Sequence, residues 1–249
     1  SGALEASDFA FSISGGVAGL SATTPTSISA SGNVYTLGIG LSGTPNGSET
    51  LKITLAEAAV FDANGNVSSM SQSNNTATLN DEGLPTITGV SLAADNGTIA
   101  VTMSEAVYNT NGGSGALEAS DFVFTLSSGI ATLSATTPTS ISASGNVYTL
   151  GIGLSGTPNG SETLMITLAE AAVFDANGNV SSMSQSNNTA TLNDEGLPTI
   201  TGVSLAADNG TIAVTMSEAV YNTNGGSGAL EASDFVFALS GGTATLSAT

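Results

Sequence analysis

The chain has 249 residues, 40% apolar and 5% aromatic, with no Trp, Cys or His. Twenty acidic residues stand against one base, Lys52, for a net charge of −19. That balance excludes the Lys and Arg contacts by which nucleic acids are bound and disfavours an anionic membrane surface. Without Cys or His there is no disulfide, thiol chemistry or zinc set. No apolar run approaches the roughly 20 residues of a membrane span, and no signal peptide is visible.

The acids have no basic partners in the sequence. They are therefore expected to be solvated, or paired with a cation from solution. Ca²⁺, a hard ion with oxygen ligands, is the natural candidate; plain solubility of a charged array is the alternative. Few aromatics leave a core to Val, Ile, Leu and Ala. The 31 Gly residues, with frequent Ser, Thr and Asn, suit short strands joined by turns.

One period organises the chain. Ser-Gly-Ala-Leu-Glu-Ala-Ser-Asp-Phe begins at Ser1, Ser114 and Ser227, an offset of 113 residues each time. Thr24–Gly113 and Thr137–Gly226 differ at one position, Lys52 against Met165. A period this long makes each repeat a whole domain, not one turn of a solenoid. The polar stretch Asn193-Asp-Glu-Gly-Leu-Pro198, like its counterpart Asn80–Pro85, reads as a linker. It frames a complete repeat at 84–196, a partial repeat at 1–83 lacking its first two strands, and a partial repeat at 197–249 lacking its second half.

Within 84–196 the elements follow in chain order. Strands are expected at 86–92 and 98–104, joined through Asp95-Asn96-Gly97, a hairpin turn signal. Phe122, Phe124 and Leu126 alternate in a third strand at 121–127. A fourth lies within 131–142, where Pro138 argues for an edge or a break. Val147, Leu150, Ile152 and Leu154 mark a fifth at 146–154. Leu164, Ile166 and Leu168 alternate in a sixth at 162–168, and a seventh covers 188–192. The expected fold is all-β: tandem immunoglobulin-like β-sandwiches of about seven strands per 113-residue repeat.

Successive strands reverse direction, so the acids can be assigned to ends. Glu105, Glu118, Asp121, Glu170 and Asp175 fall at the top of the repeat; Asp95, Glu162, Asp194 and Glu195 fall at the bottom with the exit linker. In a head-to-tail array these two sets face each other across a junction, repulsive without cations and stiffened by Ca²⁺. An upper candidate cluster therefore joins Glu105, Asp121 and the oxygen-rich turn Asp175, Asn177 and Asn179, with Asp8 and Asp62 as counterparts one period earlier. Its alternative is purely structural: an Asx-turn with Gly178 at positive φ, and Asp121 capping a strand. The turn resembles part of an EF-hand loop, but the spacing is wrong and the terminal Glu is missing. A junction cluster joins Asp194 and Glu195 with Asp95 and Asn96, and with Glu218 or Asp234 of the next repeat; its alternative is a solvated linker.

Catalysis has little to work with. A Ser nucleophile lacks a base partner, and Lys52 is replaced by Met165 in the next repeat. An acid pair for glycoside hydrolysis would lack an aromatic sugar-stacking cleft. No enzyme activity is expected.

The runs Val101-Thr-Met-Ser-Glu-Ala-Val107, Leu117-Glu-Ala-Ser-Asp-Phe122 and Val173-Phe-Asp-Ala-Asn-Gly-Asn179 resemble, in that order, the immunoglobulin-like repeats of giant bacterial surface adhesins. Similar repeats occur in gliding and adhesion proteins of the Bacteroidetes (the SprB type) and in a cyanobacterial motility protein (SwmB-like). The likeness spans the whole repeat, with Met103 where Phe is usual and Asn177 where Ala is commoner. It implies an exported segment at the bacterial cell surface.

Three functions are then open. The first is a stalk of a large adhesin, stiffened by Ca²⁺, presenting adhesive modules for attachment or gliding. The second is a self-assembling extracellular filament or sheath, its repeats completed by strands from other copies. The third is a module that itself binds a glycan or surface, which the lack of Trp and the polar loops support poorly. The expected partners are neighbouring repeats, other copies, and an unidentified surface or glycan ligand.

Overall fold

The computed structural model describes residues 2–246. Among them the protein is all-β, with antiparallel sheets and no α-helix; 3-10 turns at Ala6–Asp8, Ala119–Asp121 and Ala232–Asp234 are its helical elements. No helix among these residues is long and apolar enough to cross a membrane. Two compact units divide between Asn193 and Asp194.

The first unit opens with β1 (Phe9–Ser14), β2 (Gly19–Leu20), β3 (Ile28–Ser31), β4 (Val34–Leu37), β5 (Leu41–Ser42), β6 (Thr50–Leu55) and β7 (Thr76–Thr78). It continues through the complete repeat as β8 (Ile87–Leu92), β9 (Thr98–Met103), β10 (Phe122–Ser127), β11 (Thr132–Leu133), β12 (Ile141–Ser144), β13 (Val147–Gly151), β14 (Leu154–Ser155), β15 (Thr163–Leu168) and β16 (Thr189–Thr191). The complete repeat holds a four-stranded sheet of order β12-β13-β9-β8, a three-stranded sheet of order β10-β15-β16, and the small pair β11-β14.

Alternation builds the core between these sheets. Every second residue of a strand faces one side, and on β9 this buries Ile99, Val101 and Met103. Tyr148 and Leu150 of β13 join them, and Phe122, Phe124, Leu164, Ile166 and Leu168 meet them from the three-stranded sheet in one apolar cluster. The rings of Phe122 and Tyr148, one from each sheet, lie 5.8 Å apart in a tilted arrangement.

Two expected strands are broken. The 131–142 stretch yields β11 and β12, separated by a Ser/Thr-rich segment around Pro138. The 146–154 stretch divides at Ile152-Gly153, where the chain leaves β13 for β14, which pairs with β11. At the β8–β9 turn the left-handed residue is Asn96, at φ 54°, and not the glycine beside it. Its side chain explains this. Asn193 N–H donates to Asn96 Oδ1 at 2.8 Å, and Asn96 Nδ2 donates to the Asn193 carbonyl at 3.0 Å. The buried amide thus ties the hairpin turn to the last residue before the linker.

Two acids depart from the expectation that carboxylates are solvated or cation-bound. Glu49 and Glu162 are fully buried and held by main-chain amides. Glu162 Oε1 accepts from Ile130 and Ala131 N–H at 2.8 and 3.0 Å, and Oε2 from Asn159 N–H at 3.0 Å. Glu49 makes the equivalent contacts with Val17, Ala18 and Asn46. The turn facing Glu162 requires glycine at Gly129: its φ is +66°, and a Cβ would collide with the Glu162 carboxyl. The amide of Ala18, with those of Val17 and Asn46, outweighs burial and lowers the Glu49 pKa to about 2. For Glu162 burial opposes ionisation, but the amides of Ala131, Ile130 and Asn159 prevail and the pKa is again about 2.

The second unit carries β17 (Ile200–Leu205) paired with β18 (Ile212–Met216), and among its described residues no further strand. This is the same hairpin as β8–β9, including the register shift near its start. Its apolar face is open: Ile200 is 59% exposed, whereas its counterpart Ile87 is 1% exposed.

Replacing Ile99 by Ala leaves a cavity between the two sheets and should cost about 2–5 kcal/mol, read as a lowered urea midpoint. The lowered carboxyl values also set an acid limit. The unfolded chain takes up protons near pH 4.5 and the folded chain only near pH 2. This stabilisation is therefore complete above pH 4.5 and lost as pH falls towards 2. Urea midpoints of a Glu49→Gln/Glu162→Gln chain should fall less steeply across that window; equal slopes would remove these groups from the account.

Candidate functional site

Three carboxylates converge where the linker meets the complete repeat: Asp81, Glu105 and Asp175, each offering an oxygen within 4.8 Å of the others. Each comes from a different local structure. Asp81 belongs to the linker segment and is bridged to Asn46 in the preceding repeat. Its Oδ1 accepts from Gly83 N–H at 2.8 Å, and Glu82 N–H donates to the Pro45 carbonyl at 3.0 Å. Glu105 follows β9 by two residues. Asp175 is buried at the head of the oxygen-rich turn.

That turn is an Asx-turn. Asp175 Oδ1 accepts from Asn177 N–H at 2.9 Å and Asn179 N–H at 2.7 Å, with Gly178 at φ 90°. Asn179 Nδ2 donates both to Asp175 Oδ2 at 2.7 Å and to the main-chain carbonyl of Asp81 at 3.0 Å. One amide side chain therefore fastens the turn of the complete repeat to the linker of the repeat before it.

The electrostatics are those of a crowded acidic site without a base. Burial, and then the charges of Asp81 and Asp175, push the Glu105 pKa up to about 7. Near neutral pH the group therefore shares its site with a proton or must be offset by a cation. Carboxylate oxygens, with the amide and carbonyl oxygens beside them, are the donor set of a hard divalent cation, whereas the N and S ligands of transition-metal sites are absent. The residues present fit Ca²⁺ in this respect.

The other residues singled out from the sequence fall as follows. Asp121 is not part of the cluster. It ends the 3-10 turn Ala119–Asp121, and its Oδ2 accepts from Glu118 N–H at 2.7 Å. Asp8 and Asp234 cap the equivalent turns in the same way. Asn177 joins through its main-chain N–H and is exposed. Asp62 holds the Asx-turn of the first repeat, accepting from Asn64 and Asn66. Asp95 caps its own hairpin turn through Gly97 N–H at 3.0 Å, and Asn96 is engaged with Asn193.

In the second unit Asp194 accepts from Gly196 N–H at 2.8 Å. Burial and then the adjacent Asp194 raise the Glu218 pKa. Asp194 and Glu218 are the counterparts of Asp81 and Glu105, so one acidic contact recurs at the 113-residue period. Glu195 and Asp234 are exposed in this unit. Asp81 itself was not singled out from the sequence; the signal that reaches it is the period, which carries Asp194 back onto it.

Of the surface recesses, one of about 280 Å³ is lined by Phe124, Leu126, Ala131 and Leu133 among others, and one of about 410 Å³ by Lys52, Thr54, Met70 and Asn75 among others. Neither of the two has a carboxylate in its lining. No family model, curated protein or solved structure matches the chain.

Proposed function

We propose that the chain is a stalk or filament segment of a large bacterial surface adhesin, whose junctions are stiffened by Ca²⁺ and which holds adhesive modules away from the cell. The observation that carries this reading is the convergence of Asp81, from one repeat's linker, with Glu105 and Asp175 of the next. Three carboxylates drawn together across a boundary repel one another unless a proton or a cation joins them, and a cation leaves all three ionised. Joined, they fix the linker's direction. Partial recurrence of the arrangement at Asp194 and Glu218 supports a device built into the period.

Immunoglobulin-like sandwiches are the architecture we assign to the repeats. The sheet orders β12-β13-β9-β8 and β10-β15-β16 correspond to the two sheets of a constant-type immunoglobulin domain, with the chain's first, second, fifth and fourth strands on one side and the third, sixth and seventh on the other. Export to the cell surface follows from the adhesin reading. We assign the segment no catalysis: the carboxylates of Glu49, Asp121, Glu162 and Asp175 are engaged by main-chain amides, and no base accompanies a nucleophile.

Calorimetric titration of the chain with Ca²⁺ should show saturable binding that Asp81→Asn/Asp175→Asn abolishes and Asp121→Asn leaves intact. Mg²⁺, which demands a tighter octahedral shell, should bind more weakly. At Ca²⁺ a hundredfold above Kd the site should add about 2.7 kcal/mol to apparent stability, read as a raised thermal midpoint. Small-angle X-ray scattering of the array should report a longer, narrower distribution of dimensions with Ca²⁺ than with chelator. Identical profiles in both would remove Ca²⁺ from the stalk.

A further inference from the structure

We infer that the chain pairs side by side with a second copy of itself, the exposed Ile130 of each entering an apolar recess beside Ile130 of the other. Divergence between the repeats gathers on this surface. The first and complete repeats differ at seven positions. Six lie within 10–19 and 123–132, on β1 and β10 and in the turn and short strand that follow. The seventh, Lys52 against Met165, is far off in sequence but beside the others in space: Lys52 pairs with Ser12, and Met165 with Thr125. Substitutions in the third repeat, at Ala238, Gly241 and Thr243, fall at positions of the same set. Exposure alone does not explain the clustering, because the exposed segment 71–74 is repeated unchanged at 184–187.

At its centre stands a displayed side chain. Ile130 is 71% exposed, and Val17, its counterpart, 74%. Yet the main chain beneath is fixed. Ser128 and Gly129 are both left-handed, at φ 66°, and Ile130 N–H donates at 2.8 Å to Glu162, which is fully buried. Val17 N–H donates at 2.7 Å to Glu49 in the same way. A buried carboxylate is therefore committed to a residue whose side chain faces solvent. Glu49 and Glu162, with the glycine and alanine that flank the tip, are the same in both repeats, whereas the tip itself changes: Val17, Ile130 and, in the third repeat, Thr243. A tip already held in place loses little freedom when it is covered, which suits it to anchor a contact.

The recess of about 280 Å³ supplies the complement. Phe124, Leu126, Ala131 and Leu133 give it apolar walls, and Ile130 immediately precedes it in the chain. A tip and a recess side by side on one molecule form a self-complementary patch, as a two-fold contact requires: the tip of each copy meets the recess of the other. Charge also favours a second copy at this place. With a net charge of −19, two chains repel over most approaches. The turn 128–133 carries no charged residue, and neither do β10, β15 and β16. Three strands of at most six residues present a face of about 20 by 14 Å, small beside the roughly 800 Å² that each partner gives to a standard interface. Pairing is therefore weak per repeat and gains from every further repeat engaged.

Sedimentation velocity in chelator, which keeps cations from the acidic junction, tests the pairing. Mass should rise with concentration, and more so at high salt, which screens the repulsion. The V17S/I130S chain should dissociate with a constant raised about tenfold or more. Its thermal midpoint should not move, because Glu49 and Glu162 hold main-chain N–H groups that serine retains. The chain has no Cys, so cross-linking can read the contact directly. Under mild oxidation, I130C and T132C chains should give a mixed disulfide. I130C and T88C should not, since Thr88 lies on β8, in the other sheet. Three results would each overturn the inference: a monomer at all concentrations, undiminished self-association of V17S/I130S, or equal cross-linking to T132C and T88C. A monomeric chain that loses its hold on a glycan or solid surface with V17S/I130S would overturn it as well, and would assign the tip to an outside ligand.

Discussion

A carboxylate in this chain has almost no cationic side chain to meet. With one base against twenty acids, charge is balanced by other means, and the means differ with position. Where a carboxyl is buried inside a repeat, as at Glu49 and Glu162, three main-chain amides surround it and hold it ionised. Asp121 uses the same resource within a single turn. At the junction the amides are partly spent, because the Asx-turn of Asp175 consumes Asn177 and Asn179 N–H. Glu105 is left facing two carboxylates, and its pKa rises where that of Glu162 falls. The same residue type is thus a structural anchor in one place and an unsettled charge in another, and the local supply of N–H donors decides which.

Much of the fold was legible because alternation is a local signal. Phe122, Phe124 and Leu126 announce β10, and Leu164, Ile166 and Leu168 announce β15, since the side chains that face the core must recur every second residue. The all-β class followed from these patterns. The broken elements were less legible for the same reason: at Ile152-Gly153 the apolar pattern runs on while the backbone changes sheets. Asn96 shows another limit. Asp-Asn-Gly signalled a turn, but which residue takes the left-handed conformation depends on Asn193, far along the chain.

The candidate site divides similarly. Counting strand directions placed Glu105 and Asp175 at one end and the linker acids at the other end of the preceding repeat, and the structure brings Asp81, Glu105 and Asp175 together. Position along a strand can be counted; the engagement of a side chain cannot. Nothing near Asp121 in sequence distinguishes a carboxylate that caps its own turn from one that reaches outward. Glu162 follows the turn residues Pro158-Asn-Gly-Ser161, and of its three amide partners only Asn159 is local, while Ile130 and Ala131 lie far earlier in the chain.

The near-identity of the repeats has a consequence for how each hairpin finds its place. Specificity is a difference between affinities, and between the β8–β9 hairpin and its copy 113 residues later that difference vanishes, because the contacting residues are the same. Shape and chemistry therefore do not select the partner. Selection falls to tethering: a hairpin joined to its own repeat through residues 104–121 meets it at a high effective concentration, which a hairpin on a separate molecule cannot match when dilute. Connectivity alone tells each repeat which hairpin is its own.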